Sequence, residues 1–401
     1  MLNCKYYLPL LFSVLFTLSC SKSEDNNPIQ HQLNKAPGEF TVTPEKITDR
    51  SITISFSQSI DPDYDRVYYR FFINDSLIAD KEYYKLNYSF INLTPAKYYS
   101  IAVIAFDKSG STNKQIINIK TLSTGAQISH NKIQFNGKAR EYGIYIPSGS
   151  ENIRLPLVIF LHGAAGVVWP EMIDSYFCKI AEREKFIFLQ PQGVLTTGLS
   201  NNITHWDAQN TQPWNDVAFI TSIMDSLEKQ GLIDLSRIYV SGMSNGGYMT
   251  YTVAEKLQDR IAAIAPISGL MDNAVFTSYH MRKPMPLCYM HGTADQTVKI
   301  EGDNYSVSWN TILSYWIDNN EASDNPAVTE LPDINSYDNS TVTLFEYPSY
   351  SGRGDIVFYR INNGVHSIPG VEYPANMDIN AFEEIWKFFK KHTLQNHFNT
   401  W

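Results

Sequence analysis

One run of six residues, Ser241-Gly242-Met243-Ser244-Asn245-Gly246, constrains this chain more than any other. It follows a strand-like run, Ser236-Arg237-Ile238-Tyr239-Val240, and precedes a helix-like run from Tyr248 to Leu257. Glycine at 242 and 246 permits a turn too tight for side chains, which lifts the Ser244 hydroxyl clear of the sheet. A glycine-rich structural turn is the competing reading. A serine hydroxyl is a weak nucleophile at neutral pH, so Ser244 matters chemically only with a base and a group that orients that base.

Both follow in the chain. Asp295 lies just beyond the apolar run Pro286-Leu287-Cys288-Tyr289-Met290, through His291-Gly292-Thr293-Ala294. A loop past a strand's carboxyl end is where an open α/β sheet gathers reactive groups. Asp272 and Asp303 are less well placed competitors. Of nine histidines, His366 alone follows a strand-like run, Ile356 to Ile361, and precedes the final helical pattern. His162 and His291 precede glycines at strand ends and are read as structural. A developing oxyanion needs fixed backbone N–H groups. Asn245, at a helix N-terminus, supplies one candidate, and Ala164 in His162-Gly163-Ala164-Ala165-Gly166 the other, with Gly163 in reserve.

Around these residues the pattern is α/β. Apolar runs without alternation at Leu155–Leu161, Phe186–Leu189, Ile238–Val240, Ile261–Ile267 and Leu287–Met290 read as strands buried on both faces. Helical spacing recurs between them, at Met172–Glu184, Val217–Lys229, Tyr248–Leu257, Val307–Ile317 and Ile379–His392. Two strand-like runs, Asn131–Phe135 and Glu141–Ile146, precede the series. From Phe40 to Leu122 the period is two, with turns at Asn74-Asp75 and Asp107–Gly110, as in a small all-β sandwich. The expected organisation is a leader over 1–20, a polar tether over 21–37, the sandwich over 38–122 and the α/β domain over 123–401.

The segments around 162–166, Asp216–Ile220, Gly242–Gly247, His291–Asp295 and Gly364–Gly370 resemble the polyhydroxybutyrate-depolymerase and feruloyl-esterase group of α/β hydrolases, related to family 1 carbohydrate esterases. The resemblance spans nearly all of residues 125 to 395. It implies an α/β-hydrolase sheet with helices on both faces and a Ser244–Asp295–His366 triad. It further implies hydrolysis of a feruloyl or acetyl ester on a polysaccharide or oligosaccharide, with no cofactor and no metal. Val365 and Ile368 depart from the family's G-G-H-x-W-P-G, and the usual cysteine staples are absent. Leu93-Thr94-Pro95-Ala96-Lys97-Tyr98-Tyr99 is similar to the L-x-P-x-x-x-Y segment of fibronectin type III modules, which implies a tyrosine corner at Tyr99. Such a module is read as a spacer.

Trp206, Trp169 and Trp214 fall in loops expected near the site mouth, where an indole can stack on a sugar or feruloyl ring. Trp206 is the leading candidate, and core burial is the competing reading for each. Asp216 is expected to cap or charge a helix start. Cys178 and Cys288 are read as buried free thiols. The calcium-like string Asp61–Asp65 lacks Gly and Glu at the required positions, and Arg353-Gly354-Asp355 reads as a turn.

With 32 Lys and Arg against 41 Asp and Glu, and no basic block, nucleic acid is excluded as an expected partner. Lys5, the apolar run Leu8–Leu18 and Ser19-Cys20 resemble a lipoprotein signal, with Cys20 the lipidated residue. Ser21-Lys22-Ser23-Glu24-Asp25 resembles the acidic export tag of Bacteroidetes-type surface lipoproteins, which implies attachment to the outer membrane. The alternatives to an esterase are a polyester depolymerase, a serine peptidase, and an inactive glycan-binding lipoprotein.

Overall fold

The computed structural model describes residues 33–81, 86–123, 125–150, 152–168, 176–196, 203–371 and 374–394. Seven strands come first: β1 (Val42–Thr48), β2 (Ile52–Phe56), β3 (Tyr68–Ile73), β4 (Ser76–Lys81), β5 (Asn87–Phe90), β6 (Tyr98–Phe106) and β7 (Thr112–Lys120). They form two layers, ordered β1-β2-β5 and β4-β3-β6-β7. Alternation along β2 sends Ile52, Ile54 and Phe56 inward, where Phe56 meets Tyr69 and Phe71 at ring distances of 4.8 and 5.6 Å. The Tyr99 hydroxyl accepts the N–H of Thr94 at 2.8 Å, the corner its position implied.

The chain then alternates strands with helices: β8 (Gln127–Phe135), β9 (Lys138–Ile146), β10 (Leu155–Leu161), α1 (Tyr176–Glu184), β11 (Ile187–Pro191), β12 (Val194–Thr196), β13 (Ile203–His205), α2 (Asp216–Lys229) and β14 (Ile233–Met243). It continues through α3 (Asn245–Lys256), β15 (Ala263–Ile267), α4 (Asn273–Ser278), β16 (Leu287–Gly292), α5 (Trp309–Asn320), β17 (Ala327–Glu330), β18 (Thr341–Tyr347), β19 (Ile356–Asn362) and α6 (Ala381–Phe389). The sheet order β8-β9-β11-β10-β14-β15-β16-β19 is parallel from β11 to β19 and antiparallel at its start. This is the α/β-hydrolase arrangement.

Unbroken apolar strands follow from burial on both faces. Leu157, Ile159 and Leu161 of β10 join the core beneath α2, α3 and α5, while Val158 and Phe160 join the core beneath α1 and α6. In α6, Phe382, Ile385, Trp386 and Phe389 form the buried stripe that their spacing predicts. Cys178 and Cys288 are both buried, and no disulfide joins them.

The N-terminal sandwich is not a detached spacer. β1 pairs antiparallel with β8 through Lys46–Ser129, Ile47–Ile128 and Thr48–Gln127, so one sheet of 13 strands runs across the boundary at residue 122. Ile47, Ile128 and Tyr145 belong to one apolar cluster that also holds Phe71 and Phe177. The module read as a spacer is thus joined to the α/β domain, because the edge of β8 is a hydrogen-bonding surface that β1 occupies.

Candidate active site

Ser244 sits where β14 ends and α3 begins, with φ 54° and ψ −120°. A positive φ is rare for a residue with a Cβ and survives only where its surroundings enforce it. The surroundings here are glycines. A Cβ on Gly246 would stand 2.0 Å from the Leu161 carbonyl oxygen, and one on Gly242 2.4 Å from the Gly246 oxygen. The turn is thus clamped between β10 and β14, and the Ser244 N–H donates to the Ile267 carbonyl at 2.9 Å.

Asp295 lies past β16 and His366 past β19, which are paired parallel neighbours. The two loops touch tightly: a Cβ on Gly292 would stand 2.2 Å from the Gly364 oxygen. His366 Nδ1 lies 2.7 Å from Asp295 Oδ2. The other carboxylate oxygen, Oδ1, accepts the N–H groups of Thr297 at 2.9 Å and Val298 at 2.8 Å. His291 completes the cradle. Its Nε2–H donates to the Val298 carbonyl at 2.7 Å and lies 3.4 Å from Asp295 Oδ2, while Nδ1 accepts from the Tyr289 hydroxyl. Burial pushes the Asp295 carboxyl up, but the bonds from His291, His366 and Val298 together outweigh it and hold the group well below the ordinary carboxylate range. Asp295 is therefore an anion at neutral pH, and it accepts a proton-bearing Nδ1 from His366. That leaves Nε2 of His366 as the basic nitrogen.

The competing carboxylates are engaged elsewhere. Asp272 caps α4 by accepting the Ala274 N–H at 2.7 Å, and Asp303 accepts Tyr305 and Ser306 N–H groups at 2.8 and 2.9 Å. The Ser244 hydroxyl makes no hydrogen bond to His366 among the described residues. In unliganded sites such bonds are commonly long and tighten with substrate.

Gly163 lies over Ser244, close enough that a Cβ there would stand 3.5 Å from the Ser244 Cβ. Among the described residues, the N–H groups of Ala164 and Asn245 meet no backbone carbonyl. Asn245 opens α3, so its N–H has no partner within the helix. Its side chain grips the next loop, accepting the Trp206 N–H at 2.7 Å and donating to the Trp206 carbonyl at 3.0 Å.

Trp206 corrects one expectation. Its side chain is only 1 % exposed, its Nε1–H donates to the His162 carbonyl at 3.0 Å, and its ring packs 5.2 Å from the His162 ring. An indole so enclosed has no free face for a sugar or feruloyl ring, and burial is what the structure gives it. Trp214 is half-buried and lines a cleft of about 630 Å³ beside Ser244, with Tyr248, Asp272, Asp303 and Tyr305. Among the described residues lining that cleft, none is Lys or Arg. Trp169 and Cys20 lie outside the described residues. No cluster of His, Cys, Asp or Glu suited to a metal occurs among the described residues.

Sequence patterns did not point to the buried pair beneath this cleft. Asp216 opens α2, as expected of a residue near a helix start, but Asn215 is the cap, its side chain accepting the Ala218 N–H. Asp216 is fully buried, bonds Arg140 at 2.7 Å and accepts the Asp207 N–H at 2.9 Å. Arg140 also donates to the Gln192 carbonyl at 3.1 Å. Arg140 and Asp216 are 76 positions apart, so no local pattern joins them.

The prolyl oligopeptidase family model matches residues 183–308. Over 64% of this chain and 34% of the relative, the sequence is 28% identical to the bifunctional acetylxylan esterase/xylanase XynS20E of Neocallimastix patriciarum. It is 30% identical to poly(3-hydroxyalkanoate) depolymerase C of Paucimonas lemoignei, over 31% of this chain and 30% of that one. It is 27% identical to probable feruloyl esterase C of Aspergillus terreus, over 52% of this chain and 70% of that one. The chain spans about a third of the length of the first two relatives.

Proposed function

We propose that this protein is a serine carboxylic-ester hydrolase working through an acyl-enzyme. The observation that carries the reading is the 2.7 Å contact from His366 Nδ1 to the anionic Asp295, at the same carboxyl end of the parallel strands as the strained Ser244. Ser244 Oγ attacks the ester carbonyl carbon while His366 Nε2 takes its proton. Asp295 holds the imidazole in the Nδ1–H tautomer and stabilises the imidazolium that forms. The N–H groups of Asn245 and Ala164 receive the oxyanion, with Gly163 beside them. As the tetrahedral intermediate collapses, the C–O bond to the alcohol breaks and His366 returns the proton to the leaving oxygen. Water then attacks the acyl-enzyme by the same exchange, which frees the acid and restores Ser244.

The proposed substrate is a feruloyl or acetyl ester on a polysaccharide or oligosaccharide. The names of two relatives support this, as does a cleft in which Trp214 and Tyr305 offer rings beside the carboxylates of Asp272 and Asp303, which suit sugar hydroxyls. Attachment to the outer membrane through lipid on Cys20 belongs to the same proposal and rests on the leader sequence alone. Labelling with a radioactive fatty acid, lost in Cys20→Ala, tests it.

The chemistry is tested with Ser244→Ala on p-nitrophenyl acetate. Turnover should vanish, along with labelling by a fluorophosphonate; retained turnover refutes the assignment. Acetylated xylan, methyl ferulate, a hydroxybutyrate oligomer and a peptide anilide, run side by side, identify the acyl group and the polymer. The anilide belongs there because of the prolyl oligopeptidase match.

A further inference from the structure

The buried ring of His162 points to a positioning role for the proposed reaction. His162 is 3 % exposed at the end of β10. Its Nε2 lies 2.8 Å from the backbone nitrogen of Gly193, and a backbone N–H can only donate. Nε2 is therefore the acceptor. The Gln192 amide agrees: its Oε1 accepts the Val168 N–H at 2.7 Å, which turns its NH₂ toward His162 Nε2 at 2.8 Å and the Gly166 carbonyl at 2.9 Å. With Nε2 accepting, the neutral ring carries its proton on Nδ1, and Nδ1 lies 2.6 Å from the Gly163 carbonyl oxygen.

That carbonyl belongs to the Gly163–Ala164 peptide. In a planar trans peptide the C=O and the N–H point in opposite directions, so fixing one fixes the other. The Gly163 oxygen is held twice, by His162 Nδ1–H and by the Gly166 N–H at 3.1 Å. Gly166 comes this close because a Cβ there would stand 2.8 Å from His162 Nδ1. The next N–H is diverted as well, since Ala165 donates to the Thr204 carbonyl at 2.8 Å. Among the described residues the Ala164 N–H meets no backbone carbonyl, and it points away from the Gly163 oxygen on a segment that passes over Ser244.

We infer that His162, set in its Nδ1–H tautomer by Gly193 and Gln192, is a positioning residue that aims the Ala164 N–H at the oxyanion. This rests on the esterase reading above. The donor set is rigid before substrate arrives, so the oxyanion meets dipoles that need no reorganisation. Ring burial also keeps His162 neutral, with its pKa held down at about 4, so the clamp stays intact across the neutral range.

The test compares His162→Phe, which removes the donor, with His162→Asn, whose side-chain amide can return an N–H near the Nδ1 position. On p-nitrophenyl acetate, His162→Phe should lower kcat by on the order of 100-fold, the scale of a misplaced catalytic group, with KM within about twofold. Inhibition by phenylboronic acid, whose tetrahedral adduct places an oxygen in the same hole, should weaken in parallel with kcat/KM. His162→Asn should recover at least tenfold of the loss, on the same scale. A merely structural role predicts instead that KM rises while inhibitor affinity and thermal midpoint fall, with no recovery by Asn; that pattern overturns the inference, as does full activity in His162→Phe. Wild-type protein that resists both fluorophosphonate and phenylboronic acid removes the esterase reading itself, and this inference with it.

Discussion

His366 Nδ1 lies 2.7 Å from Asp295 Oδ2 across 71 positions of chain, while Asp295 Oδ1 is pinned by two backbone N–H groups. The carboxylate can neither turn away nor take up a proton near neutral pH, so the imidazole has one tautomer open to it. Asp295→Asn keeps the shape but presents an amide that can donate to Nδ1, which favours the wrong tautomer. Turnover of p-nitrophenyl acetate should fall on the order of 10⁴-fold with the circular dichroism spectrum unchanged. A loss under tenfold would mean that Asp295 is not the orienting group.

Stability should decline on mild acidification. Burial holds His162 and His392 down at about 4, below the value of about 6.5 in an unfolded chain. Between those values the unfolded state binds more protons, so the contribution of each is complete above about pH 6.5 and lost as pH falls toward 4. Each site contributes at most roughly 3 kcal/mol. Asp295, whose pKa is depressed, adds its own loss only at lower pH, below the unfolded carboxylate value of about 3.9. Thermal midpoints from pH 7 to 4.5 should fall steadily, and His392→Phe should flatten the slope. An unchanged slope in that variant contradicts the assignment.

Breaking the Arg140–Asp216 pair should cost far more than any surface ion pair. Both side chains are buried, and Arg140 also lies 3.9 Å from the centre of the Phe219 ring. Asp216→Ala leaves a cation without its partner and should destabilise by about 3–5 kcal/mol in urea titration. Arg183–Glu383, exposed at the surface, should cost under about 1 kcal/mol when broken. Equal losses would indicate that burial does not set the scale.

The cleft beside Ser244 should discriminate by substrate charge. Asp272 and Asp303 line it and, among the described residues, no Lys or Arg does, although Lys138 Nζ lies 5.7 Å from the centre of the Trp214 ring. An ester with a free carboxylate, such as p-nitrophenyl succinate, should react several-fold more slowly than the acetate beyond its intrinsic reactivity. Asp303→Asn should narrow that gap, and so should raising ionic strength well above 0.15 M, where charges are screened beyond roughly 8 Å. A gap insensitive to both changes rules out a charge effect.

Deleting residues 38–122 should damage the remaining domain. The cut removes β1 from β8 and uncovers Ile128 and Tyr145, so the truncated protein should aggregate or lose several degrees of thermal midpoint. A soluble, fully active fragment with an unchanged midpoint would restore the spacer reading.

Local chemistry made much of this protein legible before any coordinates. The glycines around Ser244 dictate a turn because no side chain fits there. The apolar runs dictate buried parallel strands, and the spacing in α6 dictates its stripe. Asp295 and His366 could be chosen because each follows a strand in the right order. Sequence carries such signals when a residue's neighbours in the chain are also its physical environment. Tertiary packing alone decided the rest: that Trp206 is enclosed against His162, that Arg140 meets Asp216, that Gly193 sets the tautomer of His162, and that β1 closes the edge of β8. Each of these joins groups far apart in the chain, and the free energy of a buried charge, ring or strand edge depends on what the fold brings against it.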